Sequence, residues 1–286
     1  MSGTVNVSDE ILLELRSVAI SAAREAGDLL ADRAGQVEVA ATKSSPTDVV
    51  TEMDSRSEEL IRSRILAARP SDAILGEEGG LIGNTGDAPA LWVIDPLDGT
   101  VNYLYGLHDW AVSIAAEVDG TVVAGVVEVP RRGETFTAVA GQGAWLHRGE
   151  ARVALHCTSG VPLGQALVGT GFGYDSGRRR VQGEVIAALL PYVRDIRRGG
   201  SAAVDLCSVA AGRLDAFFER GLNYWDFAAG GLIAREAGAA VGGLAGRTES
   251  TSMAVAAGPG LYQQLDTFLT NLNPERDAQR SQERDG

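Results

Sequence analysis

Two carboxylates, Asp95 and Asp98, flank Pro96 and Leu97 in the stretch Trp92-Val93-Ile94-Asp95-Pro96-Leu97-Asp98-Gly99-Thr100. Three apolar residues come before the pair and read as a short buried strand. Pro96 has no N–H to give a β ladder, so the strand is expected to end at Asp95. Asp98-Gly99 then makes a tight turn, with a short helical turn from Thr100. Both carboxylates can converge on one point beyond the strand end. Hard oxygens gathered in this way suit Mg²⁺ or another hard divalent cation. The backbone N–H groups of Gly99 and Thr100 would lie beside the same point as anion donors. An ordinary strand with a surface Asp-Gly turn fits this stretch alone equally well, so other acids must decide.

Glu77-Glu78 follows a second short strand, Ala73-Ile74-Leu75. Alone it reads as a solvated acidic loop. Two strand ends that both present carboxylates favour a shared site, because layered sheets gather ligands there. Asp226 opens a helix over Trp225 to Gly238, where an acid is usually a cap. The Ala228-Ala229-Gly230-Gly231 face allows close helix packing and is expected to push Asp226 inward, where a carboxylate needs a cation. Thr51-x-x-Asp54 fits a capping box, which leaves nearby Asp48 without a capping role. Arg197-Arg198-Gly199-Gly200-Ser201-Ala202-Ala203 reads as a turn into a helix start, whose free N–H groups could bind phosphate or hydroxyls.

Three other patterns carry no chemistry. Cys207 and Arg213 have the spacing of cysteine phosphatases, but Cys207 falls within an apolar helix and reads as core, not as a thiolate in a loop. Asp95-x-x-Asp98 is one residue longer than the Asp-x-Asp nucleophile of haloacid-dehalogenase phosphatases. His108, His147 and His156 have no ligand-like spacing.

The elements that must position these residues follow from periodicity. Helical spacing covers Asp9 to Arg33, Asp54 to Arg69, Val181 to Leu190, Ser201 to Gly212, Trp225 to Gly238 and Gly260 to Asn271. A β-meander covers Ala111 to Val118, Val122 to Val129, Glu134 to Val139 and Ala144 to His147. Further short strands read at Asp48 to Thr51, Ala166 to Thr170, Val193 to Arg197, Asp215 to Glu219 and Met253 to Ala256. The plan is layered helices and sheets in two halves. Residues 1–155 form an α+β half with most of the candidate ligands, and 156–273 form an α/β half that completes the site. Residues 274–286 are charged and polar and are expected to be disordered.

A chain of 286 residues with 45% hydrophobic residues and 36 glycines has ample core for a soluble, loop-rich α and β protein. No apolar run approaches the roughly 20 residues of a membrane span, and no secretory leader is evident. Cys157 and Cys207 make no disulfide framework and suit a reducing cytoplasm. The net charge of −13 disfavours a nucleic-acid surface, which needs a basic patch.

Together the motifs resemble one family. Gly76-Glu77-Glu78, Asp95-Pro96-Leu97-Asp98-Gly99-Thr100 and Trp225-Asp226-x-Ala228-Ala229-Gly230 look like the paired signatures of the inositol monophosphatases. Asp48-x-Val50-Thr51 and Gly200-Ser201-Ala202-Ala203 match its other segments in order, and the wording is most similar to its bacterial SuhB-type members. The resemblance covers residues of about 10–270. It implies a layered αβαβα fold, two or three Mg²⁺ ions per site, lithium inhibition and a homodimer. The metal ligands it implies are Glu77, Asp95, the Leu97 carbonyl, Asp98 and Asp226. Gly99, Thr100, Gly200, Ser201, Ala202 and Glu219 fall where the family holds phosphate and sugar. Gly79 departs from it, since many members have Ser there.

The resemblance implies hydrolysis of a phosphorylated polyol or sugar by metal-activated water, oriented and deprotonated by Glu77 and an Asp48–Thr100 pair, with Asp95 bridging two ions. Val101-Asn102-Tyr103 and Glu219 look most like the inositol-specific members, so myo-inositol monophosphate is the expected substrate. Fructose 1,6-bisphosphate, histidinol phosphate and nucleotide 3'-phosphates are the alternatives within the family. A SuhB-like binding role in transcription is the alternative outside catalysis.

Overall fold

One pair of small-residue helices separates two sheets, and the other helices cover the outer faces. The computed structural model describes residues 7–34, 39–42 and 49–276. The first part of the chain forms α1 (Asp9–Ala31), β1 (Val39–Thr42), β2 (Val49–Thr51), α2 (Glu52–Ala68), β3 (Ala73–Gly76), β4 (Gly80–Ile82), β5 (Leu91–Asp98) and the short α3 (Thr100–Leu104). A meander follows, β6 (Ala111–Val118), β7 (Thr121–Val129), β8 (Glu134–Val139), β9 (Ala144–Arg148) and β10 (Ala151–Ala154). The second part comprises β11 (Leu167–Thr170), α4 (Ser176–Leu189), β12 (Asp195–Arg197), α5 (Ala202–Ala210), β13 (Ala216–Glu219), α6 (Tyr224–Glu236), β14 (Ala240–Gly242), β15 (Ala254–Ala257) and α7 (Pro259–Asn271).

Eight strands form the large sheet in the order β10-β9-β8-β7-β6-β5-β3-β4, with β3 and β5 parallel and the other pairs antiparallel. Five strands form the small one, β12-β11-β13-β15-β14. On α1 the stripe Leu15, Ala19, Ala22, Ala26 and Leu30 packs with Ile94, Val112, Ile114 and Val126 of the large sheet. The other face of that sheet presents Val93, Ala115, Val127 and Phe136 to Ala203, Cys207, Ala229 and Ile233 of α5 and α6. Leu206, Val209 and Ala234 of the same two helices meet Phe217, Ala254 and Ala256 of the small sheet. α4 and α7 close the far side with Val185, Leu189, Leu261 and Leu265. The order helix, sheet, helix, sheet, helix is the expected layered α+β sandwich.

Burial on both sides explains why α5 is apolar all round: each of its nine residues is buried. Close approach of α5 and α6 comes from the expected Ala-Ala-Gly-Gly face. A Cβ added at Gly230 would lie 2.9 Å from Leu206 Cβ, which only glycine avoids.

Two expectations are corrected. β5 does not stop at Asp95 but runs to Asp98, through a register irregularity between those residues. Pro96 sits at that irregularity, where no ladder N–H is needed, and Asp95 Oδ1 accepts from the Leu97 N–H at 3.1 Å. The chain end folds further than expected. Arg220 Nη1 donates to the Pro274 carbonyl at 3.3 Å, and Arg276 pairs with Glu184, so residues 274–276 pack on the body. Residues 277–286 of the expected tail lie outside the described residues. No described helix is long and apolar enough to cross a membrane.

Candidate active site

The C-terminal end of β5 and the loop after β3 lie side by side because those strands are parallel neighbours, Gly76 pairing with Ile94. α2 fixes both loops. Its buried Glu58 accepts from the Glu78 and Gly79 N–H groups at 2.8 and 2.7 Å and pairs with Arg62 at 2.8 Å. Ser57, one residue earlier, donates to the Pro96 carbonyl at 2.8 Å. Tyr103 of α3 is fully buried, stacks edge-on against Trp110 and donates to the Leu30 carbonyl at 2.8 Å. Such an aromatic pair contributes about 0.5–1.5 kcal/mol beyond its burial.

Thr51 and Asp54 form the expected capping box, with Asp54 Oδ2 accepting from the Thr51 N–H at 2.8 Å. The free oxygen of Asp54 does more. Oδ1 accepts from the Thr100 hydroxyl at 3.1 Å, which also lies 3.2 Å from the Leu97 carbonyl. Asp48, the expected partner of Thr100, lies outside the described residues.

The second half of the chain delivers the rest. Asn102 Nδ2 donates to the Asp109 and Gly199 carbonyls at 2.6 and 2.9 Å, pinning the turn before α5 against α3. Asp98 Oδ2 accepts from the Ser201 hydroxyl at 2.5 Å and the Ala203 N–H at 2.7 Å. Ser201 also caps α5 through the Val204 N–H at 3.2 Å. It is buried with its hydroxyl committed to Asp98, so it supports the site rather than facing it, contrary to the expectation. Gly200 and Ala202, on either side, do face the cavity. Asp226 Oδ2 accepts from the Asn223 N–H at 2.6 Å. Asp226 lines the cavity with its carboxyl largely withdrawn from solvent, the inward placement expected of it.

The result is a cavity of about 400 Å³ lined by Glu77, Asp95, Leu97, Asp98, Gly99, Thr100, Gly200, Ala202, Glu219 and Asp226. Burial first, and then the charges of Glu77, Asp98 and Asp226, push the Asp95 carboxyl well above the usual carboxylate range. Burial and then the charges of Asp98 and Glu77 do the same to Asp226. Glu219 is raised by burial and then by Asp226 and Asp98. Asp98 is raised by burial, opposed by its bonds to Ser201 and Ala203. These acids feel one another strongly and cannot all carry charge without a cation.

Among the described residues no three His, Cys, Asp or Glu side chains are set as ligands around one point. The fit of a metal therefore rests on donor chemistry. Hard carboxylate oxygens from three separate segments share one wall, beside the Leu97 carbonyl, and that set suits a hard divalent cation.

The cavity also holds residues that motif reading missed. Phe172, Gly173, Tyr174 and Asp175, after β11, line it together with Arg178, Arg198, Arg220 and Gly221. Arg178 and Arg198 lie in the short basic runs Arg178-Arg179-Arg180 and Arg197-Arg198, and the others carry no comparable sequence signal. Asp54, Ser57 and Glu58 had a clearer one, since polar residues share the buried stripe of α2 with Ile61 and Ile65.

Carboxylates from the loop after β3, the end of β5 and the first turn of α6 meet in one cavity of a layered α+β sandwich, a fold shared with solved inositol monophosphatases. The chain belongs to the inositol monophosphatase family, whose sequence model matches residues 12–279. The family is one of phosphatases and is in general metal-dependent. An inositol-1-monophosphatase SuhB of Mycobacterium tuberculosis is 45% identical over 273 residues, covering 91% of this chain and 94% of its own. A protein of Pseudomonas aeruginosa called Nus factor SuhB is 41% identical, covering 82% of this chain and 86% of its own. The solved structure of Mycobacterium tuberculosis SuhB superposes with a TM-score of 0.78 over 91% of this chain and 97% of that one, at 44% identity.

Proposed function

We propose that the protein is a Mg²⁺-dependent phosphatase that releases inorganic phosphate from myo-inositol monophosphate. The observation that carries this reading is the shared wall of Glu77, Asp95, Asp98 and Asp226, next to Gly99, Thr100 and Glu219. A phosphate monoester brings nearly two negative charges. Opposite four carboxylates it would be repelled by several kcal/mol at short range, so the residues make chemical sense together only with cations. Glu77, Asp95, Asp98, Asp226 and the Leu97 carbonyl would hold two or three Mg²⁺ ions, Asp95 from between the others. When bound, the ions would offset the acidic wall, lower the pKa of a water and balance the charge of the departing alkoxide.

The chain supplies the rest. Thr100, held by Asp54, presents a fixed hydroxyl that can orient a water, and Glu77 can take its proton, with Asp48 the further candidate for that role. Gly99, Thr100, Gly200 and Ala202 offer backbone to the phosphate, and the Arg198 guanidinium lies near enough to Asp98 and Glu219 to act on their charge. Glu219 offers hydrogen bonds to sugar hydroxyls. Li⁺ can enter a carboxylate site yet brings half the charge of Mg²⁺, so lithium inhibition belongs to the same reading. Two free cysteines, Cys157 and Cys207, support a reducing cytoplasm, and a homodimer is what the family resemblance implies.

The relatives called Nus factor SuhB favour one second reading, a binding role in transcription. A panel of phosphate monoesters assayed with Mg²⁺ separates the two. Phosphate release, fastest from myo-inositol 1-phosphate, is the expected result. No release from any ester in a folded preparation sinks the enzymatic reading and leaves the binding role.

A further inference from the structure

A row of side chains crosses β7, β8, β9 and β10 on the α1 side of the large sheet and gathers positive charge. Cross-strand register pairs Glu128 with Thr135, Thr135 with His147, and His147 with Arg152, so all four stand on one face. α1 packs on that face over β6, β7 and β8. Gly27 lets it come close, since a Cβ there would lie 3.0 Å from Glu128 Cγ. One turn earlier, Arg24 donates from Nε and Nη2 to the Thr135 hydroxyl, both at 3.3 Å. Two turns earlier again, Arg16 has a buried Nε with no hydrogen-bond partner among the described residues. β10 is exposed along its whole length, so the face beyond α1 is an open ledge.

His147 sits among three arginines on this ledge. Burial first, and then the charges of Arg152, Arg24 and Arg16, push its ring below the usual histidine pKa. Its Nε2 is 3.1 Å from the Thr137 hydroxyl, and Thr137 is the cross-strand neighbour of Trp145. Arg152 stacks on that Trp145 with its guanidinium 3.7 Å from the ring centroid, which holds the charge over the sheet. Arg16, Arg24 and Arg152 form no ion pair among the described residues. Glu128, at the far end of the row, is the acid that Arg24 acts on. Burial raises its carboxyl first, the Thr135 hydroxyl and Arg24 lower it, and Asp28 raises it.

Three arginines and a histidine thus crowd one ledge of a chain whose net charge is −13. One carboxyl at the end of the row, itself raised by burial, does not balance them. An anion lying along the ledge relieves their repulsion, and guanidinium groups match phosphate oxygens through parallel N–H bonds. Strands about 4.8 Å apart spread the charge over about 10 Å, from Arg24 above β8 to Arg152 on β10. That spread suits two linked phosphates better than one.

We propose that Arg16, Arg24, His147 and Arg152 form a binding site for a diphosphate group, free or carried by a nucleotide, on the α1 face of the large sheet. Four strand spacings, about 20 Å, separate β9 from β5. The site therefore stands apart from the acidic wall and does not depend on the phosphatase reading.

Calorimetric titration of the full chain with pyrophosphate, ATP and inorganic phosphate tests the site. Chelator is present throughout, so no metal draws these anions to the acidic wall. Wild type is expected to bind pyrophosphate with a Kd below about 1 mM, and inorganic phosphate about tenfold or more weakly than that. Arg24→Gln/Arg152→Gln should lose about tenfold or more in pyrophosphate affinity, and each single variant part of that loss. Both side chains are exposed, and the single variants keep the test if the double variant does not fold. ATP binding more tightly than pyrophosphate, with the same loss in the variants, would make a nucleotide the carrier. Equal affinities would make the diphosphate alone sufficient. No binding of pyrophosphate or ATP by wild type, or unchanged affinity in the folded variants, overturns the site. Phosphate binding as tightly as pyrophosphate overturns the diphosphate assignment.

Discussion

Asp54 serves Thr51 with one carboxylate oxygen and Thr100 with the other, so the acid in the first turn of α2 also holds the hydroxyl that opens α3. Helix capping and the site are therefore tied to one residue. Thr100→Val, which keeps shape but loses the hydroxyl, is expected to lower kcat by about tenfold or more with KM changed less than about threefold. Asp54→Ala should show that kinetic defect together with a loss of about 1–2 kcal/mol from the lost cap. Thermal melts and steady-state kinetics on both variants check this. Lost stability with unchanged kcat in Asp54→Ala would make Asp54 a cap and nothing more.

Asp205 gives a pH dependence of known sign. Burial first, then the charges of Asp98 and Asp109, raise its carboxyl from 3.8 to about 8, against Arg198 and Arg132. The folded protein keeps a proton there that the unfolded chain releases. This contribution to stability is full below the unfolded value, declines as pH rises from about 4, and is gone above about 8. Asp205→Asn should flatten the decline in Tm across that window in metal-free protein. An unchanged slope would show that Asp205 is ionised in the fold.

Cys207 is fully buried in α5, and burial pushes its thiol well above the usual range, the opposite of a nucleophile. Cys207→Ala is expected to keep activity and lose about 1 kcal/mol through a small cavity. Rapid-quench trapping should find no phosphocysteine. An inactive, folded variant with a trapped intermediate in the wild type would replace the proposed chemistry.

Glu219 faces the cavity from the end of β13. Glu219→Ala should raise KM for myo-inositol 1-phosphate about tenfold, the size of one or two lost hydrogen bonds, and spare an aryl phosphate that has no hydroxyls. Glu219→Gln, which keeps an acceptor and a donor, should fall between. Equal losses on both substrates would mean that Glu219 only packs.

What the sequence showed well was local. Apolar periodicity placed α1, α5, α6 and α7 and the β6–β9 meander to within a few residues, because each buries a continuous stripe or face. The acidic motifs were legible because Asp-Pro-Leu-Asp-Gly-Thr and Trp-Asp carry unusual residue types at turns. β5 ran past Pro96 unseen, since only the paired strand reveals where a missing N–H costs nothing. β4, β10 and β14 were missed as well, being three or four residues long with no strong pattern. Glu58, Arg178 and Arg220 escaped for another reason. Their partners lie in other segments, and a lone charge in a sequence reads as solvated until the fold sets something against it.

The central claim is that the wall around Asp95 works through bound cations on a phosphate ester. The direct measurement is phosphate release from myo-inositol 1-phosphate by wild type and Asp95→Asn, each with chelator and across a Mg²⁺ titration. Wild type should be inactive with chelator and saturate with Mg²⁺, while Asp95→Asn, folded and with an equal or higher metal-free Tm, should lose about a thousandfold or more in kcat. Wild-type turnover in chelator, or a wild-type kcat for Asp95→Asn at saturating Mg²⁺, would contradict it.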